Sequence, residues 1–379
     1  MKAVIAIDSF KGSLSSLEAG QAAANGIRRV FHDAETIIRP VADGGEGTVE
    51  ALVSGLNGHF RETEVSDPLG RHIKAKYGIL PDNTAVIEMA AASGLTLLSE
   101  SERSPMLTTT YGTGELILDA IHIGCRNFII GIGGSATNDG GIGCLQALGF
   151  GMLDNNSKQV GYGAKGLSQL SLITDIGIIP ELKECRFNVA CDVTNPLCGE
   201  NGCSAVFAPQ KGAGAESIRL MDGYLRSYAE LTKQFNSSAS ADTAGAGAAG
   251  GLGFALMYYL NAKLESGVDL IMRETKLEEA IKNANIVITG EGCLDSQTAM
   301  GKAPIGIAKI AKKYGKPVIA FSGAVRSGAE LCNQNGIDAY FPVLRKVSTL
   351  EQVMDKNNAY NNLADTAEQV FRTIKLFSK

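Results

Sequence analysis

The stretch NFIIGIGGSATNDGG, residues 127–141, joins a short apolar run to a turn built from glycines, small hydroxyl residues and an aspartate. Such an apolar run is typical of a buried strand, and the glycines mark its end. The next segment, GIGCLQALGF (141–150), has helical periodicity, so we predict a strand, a loop and a helix in succession. Because glycine lets a ligand or another backbone approach closely, the loop is a candidate anion-binding turn.

Glycine is enriched and clustered along the whole chain. It accounts for 45 of 379 residues, about 12%, against an average near ~7%. A single cluster is most simply explained as an ordinary turn, but acids and hydroxyl residues embedded in several clusters favour ligand binding. The other clusters are ADGGEGT (42–48), AGAGAAGGLG (244–253) and TGEGCLDSQTAMGK (289–302).

Composition excludes several classes of function. A net charge of −5 without a block of Lys or Arg argues against nucleic-acid binding. No apolar run reaches ~18 residues and the N-terminus lacks signal-peptide features, so we expect no membrane span and a cytoplasmic location. The eight cysteines form no C-x-x-C pair, so neither a zinc site nor a disulfide framework is expected.

The order of elements predicts an α/β fold. A strand at 2–7 precedes a helix in which Ser15 and Glu18 have capping-box spacing, and strands and helices alternate again from residue 285. This alternation indicates a parallel sheet. Residues 57–100 instead favour an antiparallel meander. We therefore predict an α/β domain from 1–56 and 283–379, with a second, mixed α/β domain (57–282) inserted between them.

Acids and glycines follow several of the predicted strands. In open parallel sheets, ligands bind at the carboxyl ends of the strands. Four candidates occupy such positions, and they are the strongest indication of a site: Asp8, Asp43, Asp192 and the GEG of 290–292.

Known motifs leave few reaction classes open. Gly131-x-Gly133-x-x-Ala136 approximates a dinucleotide fingerprint but lacks the acid that should close the next strand, so a nicotinamide oxidoreductase is the second choice. Neither a Walker A motif nor a G-x-S-x-G elbow is present, and the four histidines are dispersed. Carboxylates must therefore carry any acid–base chemistry.

Phosphoryl transfer fits the remaining residues. It needs donors and cations around the phosphates, carboxylates that hold Mg²⁺, and a proton acceptor. Each residue also has a simpler interpretation as a helix cap or an exposed lysine. Phosphate contacts can come from Ser135, Thr137 and Asn138, charge balance from Lys11 and Lys302, and metal or base functions from Asp43, Asp192 and Asp295.

Seven sequence blocks extend along the chain: DSFKGS (8–13), PVADGGEGTVEAL (40–52), AVIEMAAASGL (85–95), TTYGTGELI (109–117), GIGGSATNDGG (131–141), DVTNPLCG (192–199) and TGEGCLDSQTAMGKAP (289–304). Together they resemble the type-1 glycerate kinases of bacteria. The blocks follow one another in the family's order over the full length of the chain. This resemblance implies ATP and Mg²⁺ as cofactors, D-glycerate as substrate and 2-phosphoglycerate as product. It also implies one Rossmann-like domain, a second domain and an active site in the cleft between them.

The resemblance also suggests roles for individual residues. Asp295 is the leading base, and Lys302 stabilises charge in the transition state. Asp192 and Asp43 place the metal or the substrate hydroxyl. Glycerate or the transferring phosphate contacts Ser9, Lys11, Asp43, Gly44 and Gly45; nucleotide contacts fall on Gly133, Gly134, Ser135, Thr137, Asn138, Gly290 and Glu291.

Several alternatives stay open at this point. The acceptor could be the 3-hydroxyl of glycerate or a related short hydroxy acid, and a non-catalytic glycerate-binding protein is a further alternative. The glycine loop that holds the nucleotide and the oligomeric state, a homodimer included, are undecided.

Overall fold

The structure is a computed structural model that describes residues 1–42, 45 and 47–377. It divides into two compact units, each treated separately below. The first unit comprises Met1–Asp43, Glu50–Asn57 and Val268–Lys379, and the second comprises Gly44–Val49 and Gly58–Gly267.

The elements of the described residues are numbered in chain order. The strands are β1 (Lys2–Ile7), β2 (Glu35–Ile38), β3 (His59–Ser66), β4 (His72–Ile79), β5 (Thr84–Glu88), β6 (Asn127–Gly131), β7 (Gly151–Leu153), β8 (Leu172–Thr174), β9 (Arg186–Ala190), β10 (Lys263–Glu265), β11 (Ile286–Leu294), β12 (Val318–Val325) and β13 (Ala339–Pro342). The helices are α1 (Ser16–Arg28), α2 (Thr48–Gly55), α3 (Ala90–Ser93), α4 (Tyr111–His122), α5 (Ile142–Ala147), α6 (Gly163–Leu167), α7 (Cys203–Phe207), α8 (Ala215–Phe235), α9 (Ala248–Leu260), α10 (Gly267–Glu274), α11 (Leu277–Lys282), α12 (Ser296–Ala299), α13 (Ala303–Lys313), α14 (Leu331–Gln334), α15 (Leu350–Met354) and α16 (Lys356–Leu376).

The first unit is a parallel sheet with helices on both faces. Its strand order is β13-β12-β11-β1-β2, and every neighbouring pair is parallel. Alternate residues of β1 face opposite layers: Ile5 packs in a cluster with α1 and α16, whereas Val4 packs in one with α10, α11 and α13. Burial on both faces explains why the strand sequences are continuously apolar.

The order of these strands creates a topological switch point. From β1 the chain moves to β2 on one side and, after the inserted residues, to β11 on the other. Counted within the unit, this is the 2-1-3-4-5 order of doubly wound folds, in which ligands bind outside the carboxyl ends of the two strands at the switch. The loops after β1 and β11 are therefore the expected binding elements of this unit.

The second unit contains a mixed sheet. Its order is β10-β9-β6-β5-β4-β3, with β3, β4 and β5 antiparallel and the other neighbours parallel. Phe128 of β6 stacks on Phe187 of β9 at a centroid distance of 4.8 Å, within a core shared with α4, α5, α8 and α9. The predicted meander and the predicted α/β class, with one parallel and one mixed domain, are confirmed. The Ser15–Glu18 capping box is also present.

Two features differ from the sequence interpretation. Residues 268–282 fall in the first unit rather than in the inserted domain, because the apolar faces of α10 and α11 cover the second face of the parallel sheet. The predicted glycine turn at 290 is instead continuous strand, since β11 runs on to Leu294. The location of the active site in a cleft between the domains stays a prediction. No helix of the described residues is long and apolar enough to cross a membrane.

Gly290 allows the close approach of β11 and β12. A Cβ at this position would lie 2.0 Å from the Phe321 carbonyl oxygen, which belongs to the neighbouring backbone. We expect Gly290→Ala to lower the free energy of unfolding by about 2–3 kcal/mol, as in other overpacked cores. Thermal unfolding followed by circular dichroism measures this loss.

The matched control is Gly223→Ala. Gly223 lies inside α8 with no atom within 4 Å of a built Cβ. Alanine there should stabilise the helix by about 0.5–1 kcal/mol. If both variants unfolded at the wild-type temperature, the steric argument for Gly290 would be wrong.

Candidate active site

The first candidate group surrounds the switch point of the parallel sheet. Asp8 and Ser9 directly follow β1, and the Asp8 amide donates to the Gly290 carbonyl over 2.8 Å. Asp8 Oδ1 accepts the Ser9 amide at 2.7 Å, which shapes the start of the loop. A Cβ on Gly292 would lie 3.6 Å from the Lys11 amide nitrogen, so this loop runs along β11. Here the structure brings together the predicted residues Ser9, Lys11 and Glu291.

Glu291 is a buried carboxylate in this group, with 8% of the residue exposed. Its Oε1 accepts a hydrogen bond of 2.5 Å from Thr298 Oγ1, and Lys302 Nζ lies 4.0 Å from Oε2. Burial raises the pKa of Glu291, and the Thr298 bond and the charges of Lys302 and Lys11 oppose that rise. Sequence analysis placed Glu291 in a nucleotide loop; the structure places it on a strand beside two lysines.

Asp295 has the opposite environment four residues later. It is the N-cap of α12, and its Oδ1 accepts the amides of Thr298 at 3.1 Å and Gln297 at 2.9 Å. The Thr298 amide bond is the main cause of a lowered pKa at Asp295, and the charge of Lys302 acts in the same direction. Two neighbouring carboxyl groups whose environments shift their pKa values in opposite directions are typical of acid–base sites. Lys302 lies just before α13 with its side chain 45% exposed.

The second candidate group is in the second unit, in residues 132–141, here called the β6 loop. Gly133 and Gly134 are exposed, and Gly134 has a left-handed φ of +73°. Among the described residues, the amides of Gly133, Gly134 and Ser135 donate to no protein acceptor. Consecutive free amides around a left-handed residue form a concave anion site. This part of the loop has the geometry that a phosphate requires.

The remainder of the β6 loop points into the protein. Thr137 and Asn138 have no exposed surface, and Asn138 Nδ2 donates to Ser204 Oγ at 2.8 Å. Their oxygens Thr137 Oγ1 and Asn138 Oδ1 have no partner in the described structure. Direct nucleotide contacts by these two side chains stay a prediction, which their burial does not favour.

Lys211 holds this inner part of the loop. Its ammonium donates to Ser135 Oγ at 2.7 Å and to the Thr137 carbonyl at 2.6 Å, and the residue is 1% exposed. Burial lowers the pKa of Lys211 to about 8. Sequence analysis missed this lysine, because it lies more than 70 residues away in an ordinary-looking PQKG turn.

Two further segments support the β6 loop. The Asp139 carboxylate accepts the Thr110 amide at 2.8 Å and the Thr110 hydroxyl at 2.9 Å. The Gly140 amide donates to the Gly250 carbonyl at 2.9 Å. A Cβ on Gly250 would lie 2.1 Å from the carbonyl oxygen of Thr137. The glycine cluster at 244–253 therefore serves close packing of the loop. Both segments were visible in the sequence, as the TTYGTG block and as that cluster, but their shared partner was not.

The predicted metal residues are less well defined. Asp192 is exposed after β9, and its Oδ1 accepts the Gly267 amide at 3.1 Å. Asp43 and Gly44 lie outside the described residues, whereas the Gly45 carbonyl accepts the Thr48 hydroxyl at 2.8 Å. No group of three or more His, Cys, Asp or Glu side chains in the described part could hold a metal ion. An exposed aspartate nevertheless suits Mg²⁺, which takes one or two carboxylates and completes its shell with phosphate oxygens and water.

Comparisons with known proteins extend over the whole chain. The profile of the Glycerate kinase family matches residues 3–375. The chain belongs to the glycerate kinase family. It is 48% identical over 377 residues to Glycerate 2-kinase of Escherichia coli K12, covering 99% of this chain and 98% of the relative. Glycerate kinase of Bacillus subtilis 168 is 47% identical with the same coverage.

A solved structure agrees with the family assignment. The crystal structure assigned as glycerate kinase 2 from Salmonella typhimurium LT2 has a TM-score of 0.92 and 46% identity, covering 99% of this chain and 98% of that one. The predicted family resemblance is confirmed, and the protein is an enzyme of the kinase class. The roles of individual residues stay predictions.

The raised pKa of Glu291 gives a stability test. We expect Glu291→Gln to leave the free energy of unfolding at pH 8 unchanged or to raise it, because ionised Glu291 is the form that burial destabilises. Each unit of pKa shift corresponds to about 1.4 kcal/mol. The native wild type binds its proton before the unfolded chain does, so its stability gains as the pH falls from the raised pKa towards 4.5. The advantage of glutamine should shrink over that window in Tm measurements against pH.

Glu278→Gln is the control with the opposite sign. A hydrogen bond from Lys313 lowers the pKa of Glu278, so the ionised form is stabilised there and glutamine should lower Tm at pH 8. A fall in Tm at pH 8 for Glu291→Gln as well would contradict the assigned environment of Glu291.

Proposed function

We propose that this protein transfers the γ-phosphoryl group of ATP to the 2-hydroxyl of D-glycerate, giving 2-phosphoglycerate and ADP. The observation that carries the proposal is the 48% identity, over 99% of the chain, to a protein named Glycerate 2-kinase. A cytoplasmic location and a homodimer stay predictions from the sequence.

The β6 loop supports binding of the nucleotide phosphates. Phosphoryl transfer requires charge stabilisation and positioning more than covalent chemistry from the protein. The amides of Gly133, Gly134 and Ser135 are donors held in place before the ligand arrives, so they need little reorganisation on binding. We propose that these amides, rather than the buried Thr137 and Asn138 side chains, receive the phosphate oxygens.

The group at the switch point supports binding and activation of the acceptor. Lys11 and Ser9 would bind the glycerate carboxylate or the transferring phosphate, and Lys302 would stabilise negative charge as it develops. Asp295 would accept the hydroxyl proton. Its Oδ1 is engaged in capping α12, whereas Oδ2 accepts no hydrogen bond from the described residues, so Oδ2 is the atom that would take the proton.

Mg²⁺ would supply charge neutralisation at the β- and γ-phosphates. Asp192, with Asp43, would hold it. The exposed carboxylate of Asp192 fits that duty, and its bond from the Gly267 amide fixes the orientation of the side chain.

The first assay is turnover itself. Purified protein with MgATP and D-glycerate should release ADP in a glycerate-dependent manner, and phosphorus NMR should show the 2-phosphate. A 3-phosphate product would contradict the proposed regiochemistry and keep the kinase. ADP release without glycerate would show that the acceptor is wrong, and absence of turnover would favour a binding protein.

Asp295→Asn tests the proposed base. Asparagine caps helices about as well as aspartate, so stability should hold, but an amide cannot accept the proton. We expect kcat to fall more than ~10²-fold, with small changes in KM. Steady-state kinetics and Tm, measured on the same preparation, separate the two effects.

Asp355→Asn is a matched cap control. Asp355 caps α16 through a 2.9 Å bond from the Asn358 amide, and no described hydrogen bond joins its side chain to a residue of either candidate group. Its kcat should equal that of wild type. If Asp295→Asn kept the wild-type kcat and changed only KM, and that modestly, Asp295 would not be the base.

A further inference from the structure

Lys211 is an unusual residue for the interior of a protein. Among the described residues it is the only buried lysine, and it lies in a 3₁₀ turn, Pro209–Lys211. Within the described structure its ammonium donates to a hydroxyl and a carbonyl rather than to a carboxylate, and Asp139 acts on it through charge alone. A buried cation without a paired anion is costly. The hydrogen bonds of the ammonium therefore indicate which function offsets the cost of burying the charge.

Within the described structure, both hydrogen bonds of the ammonium go to one segment. Ser135 Oγ and the Thr137 carbonyl accept at 2.7 and 2.6 Å, and these residues directly follow the exposed glycines Gly133 and Gly134. Bonds from a charged donor are stronger than neutral ones. The bonds fix the backbone just after the amides that have no protein acceptor, so the direction of those amides depends on Lys211.

We propose that Lys211 is a positioning residue for nucleotide binding: its ammonium fastens the β6 loop from the inside so that the amides of Gly133, Gly134 and Ser135 converge on the phosphates. The inference deepens the proposed function and rests on it. The positive charge beneath the loop also favours an anion above it. Because Lys211 is 1% exposed and its ammonium donates to Ser135 and Thr137, it would act on the nucleotide through those two residues.

Lys211→Met keeps the length of the side chain and removes its charge and both donors. Losing bonds to a charged group predicts a roughly tenfold to hundredfold rise in the KM for MgATP. The KM for D-glycerate should change less than about twofold, since Lys211 makes no described hydrogen bond or ion pair with the residues proposed to bind glycerate. Lys165→Met, at an exposed position of α6, should match wild type in both constants. Equal changes in both KM values, or a lowered Tm with unchanged nucleotide affinity, would overturn the proposal.

A double-mutant cycle separates positioning from direct contact. Ser135→Ala removes one acceptor of Lys211 and should raise the KM for MgATP less than Lys211→Met does. If the Ser135 hydroxyl serves Lys211, its removal should have no further effect in the Lys211→Met background. Fully additive effects would mean that Ser135 binds the nucleotide by itself, and would refute the coupling. The Ser135 variant also provides a test if Lys211→Met does not fold.

The pH dependence of ADP affinity distinguishes the proposed role of Lys211 from a purely structural one. With the pKa of Lys211 at about 8, wild-type affinity for ADP should fall between pH 7 and pH 9, and that of Lys211→Met should not. The other ionisable groups acting on Lys211 are Asp139 and the Cys203 thiol, whose pKa burial raises to about 12, so the thiol stays neutral over this range.

Calorimetric titration with ADP distinguishes the two proposals. If wild type binds ADP but does not phosphorylate D-glycerate, the proposed function fails while the comparison with Lys211→Met still tests the loop. If both proteins bind ADP equally at pH 7 and pH 9, the role of Lys211 is refuted whatever the acceptor.

Discussion

A loop that leaves the end of a buried parallel strand and turns inward must find hydrogen-bond partners without water. Three separate segments supply most of these partners in the β6 loop: Thr110 donates to Asp139, Lys211 donates to Ser135 and to the Thr137 carbonyl, and Gly250 accepts from Gly140. Thr137 Oγ1 and Asn138 Oδ1 are exceptions without a partner among the described residues. The protein thus holds the inner part of the loop, whereas the exposed amides of Gly133 and Gly134 donate to no described protein acceptor.

The same constraint explains the distribution of glycines. A Cβ on Gly250 would strike the Thr137 carbonyl, and one on Gly290 would strike the Phe321 carbonyl. Each of these glycines lets two backbones come into contact. Gly133 and Gly134, by contrast, are exposed, and they are the glycines that we propose to face the nucleotide.

The sequence was sufficient to predict the α/β class, the meander and the capping box at Ser15. Those features depend on local periodicity and on which residues end a strand, so one short window contains the information. Lys211 and Thr110 could not be predicted as partners of the loop, because their roles arise from packing between segments far apart in the chain. For the same reason the prediction that the strand ends at the GEG of 290–292 was wrong: pairing with β12 overrode the local turn signal of the glycines.

The carboxylates of the first unit show how one local element can set two opposite acidities. Thr298 is the common partner: its hydroxyl donates to Glu291, which lies inside β11, and its amide donates to Asp295, which caps α12. Because β11 runs straight into α12, the two acids are only four residues apart, yet one is buried under the sheet's end and the other accepts helix amides. Burial dominates at Glu291 and amide donation dominates at Asp295, so their pKa values move in opposite directions. A strand that continues through GEG is therefore the feature that gives this edge of the sheet both a carboxyl group inclined to hold a proton and a carboxylate inclined to stay ionised beside Lys302.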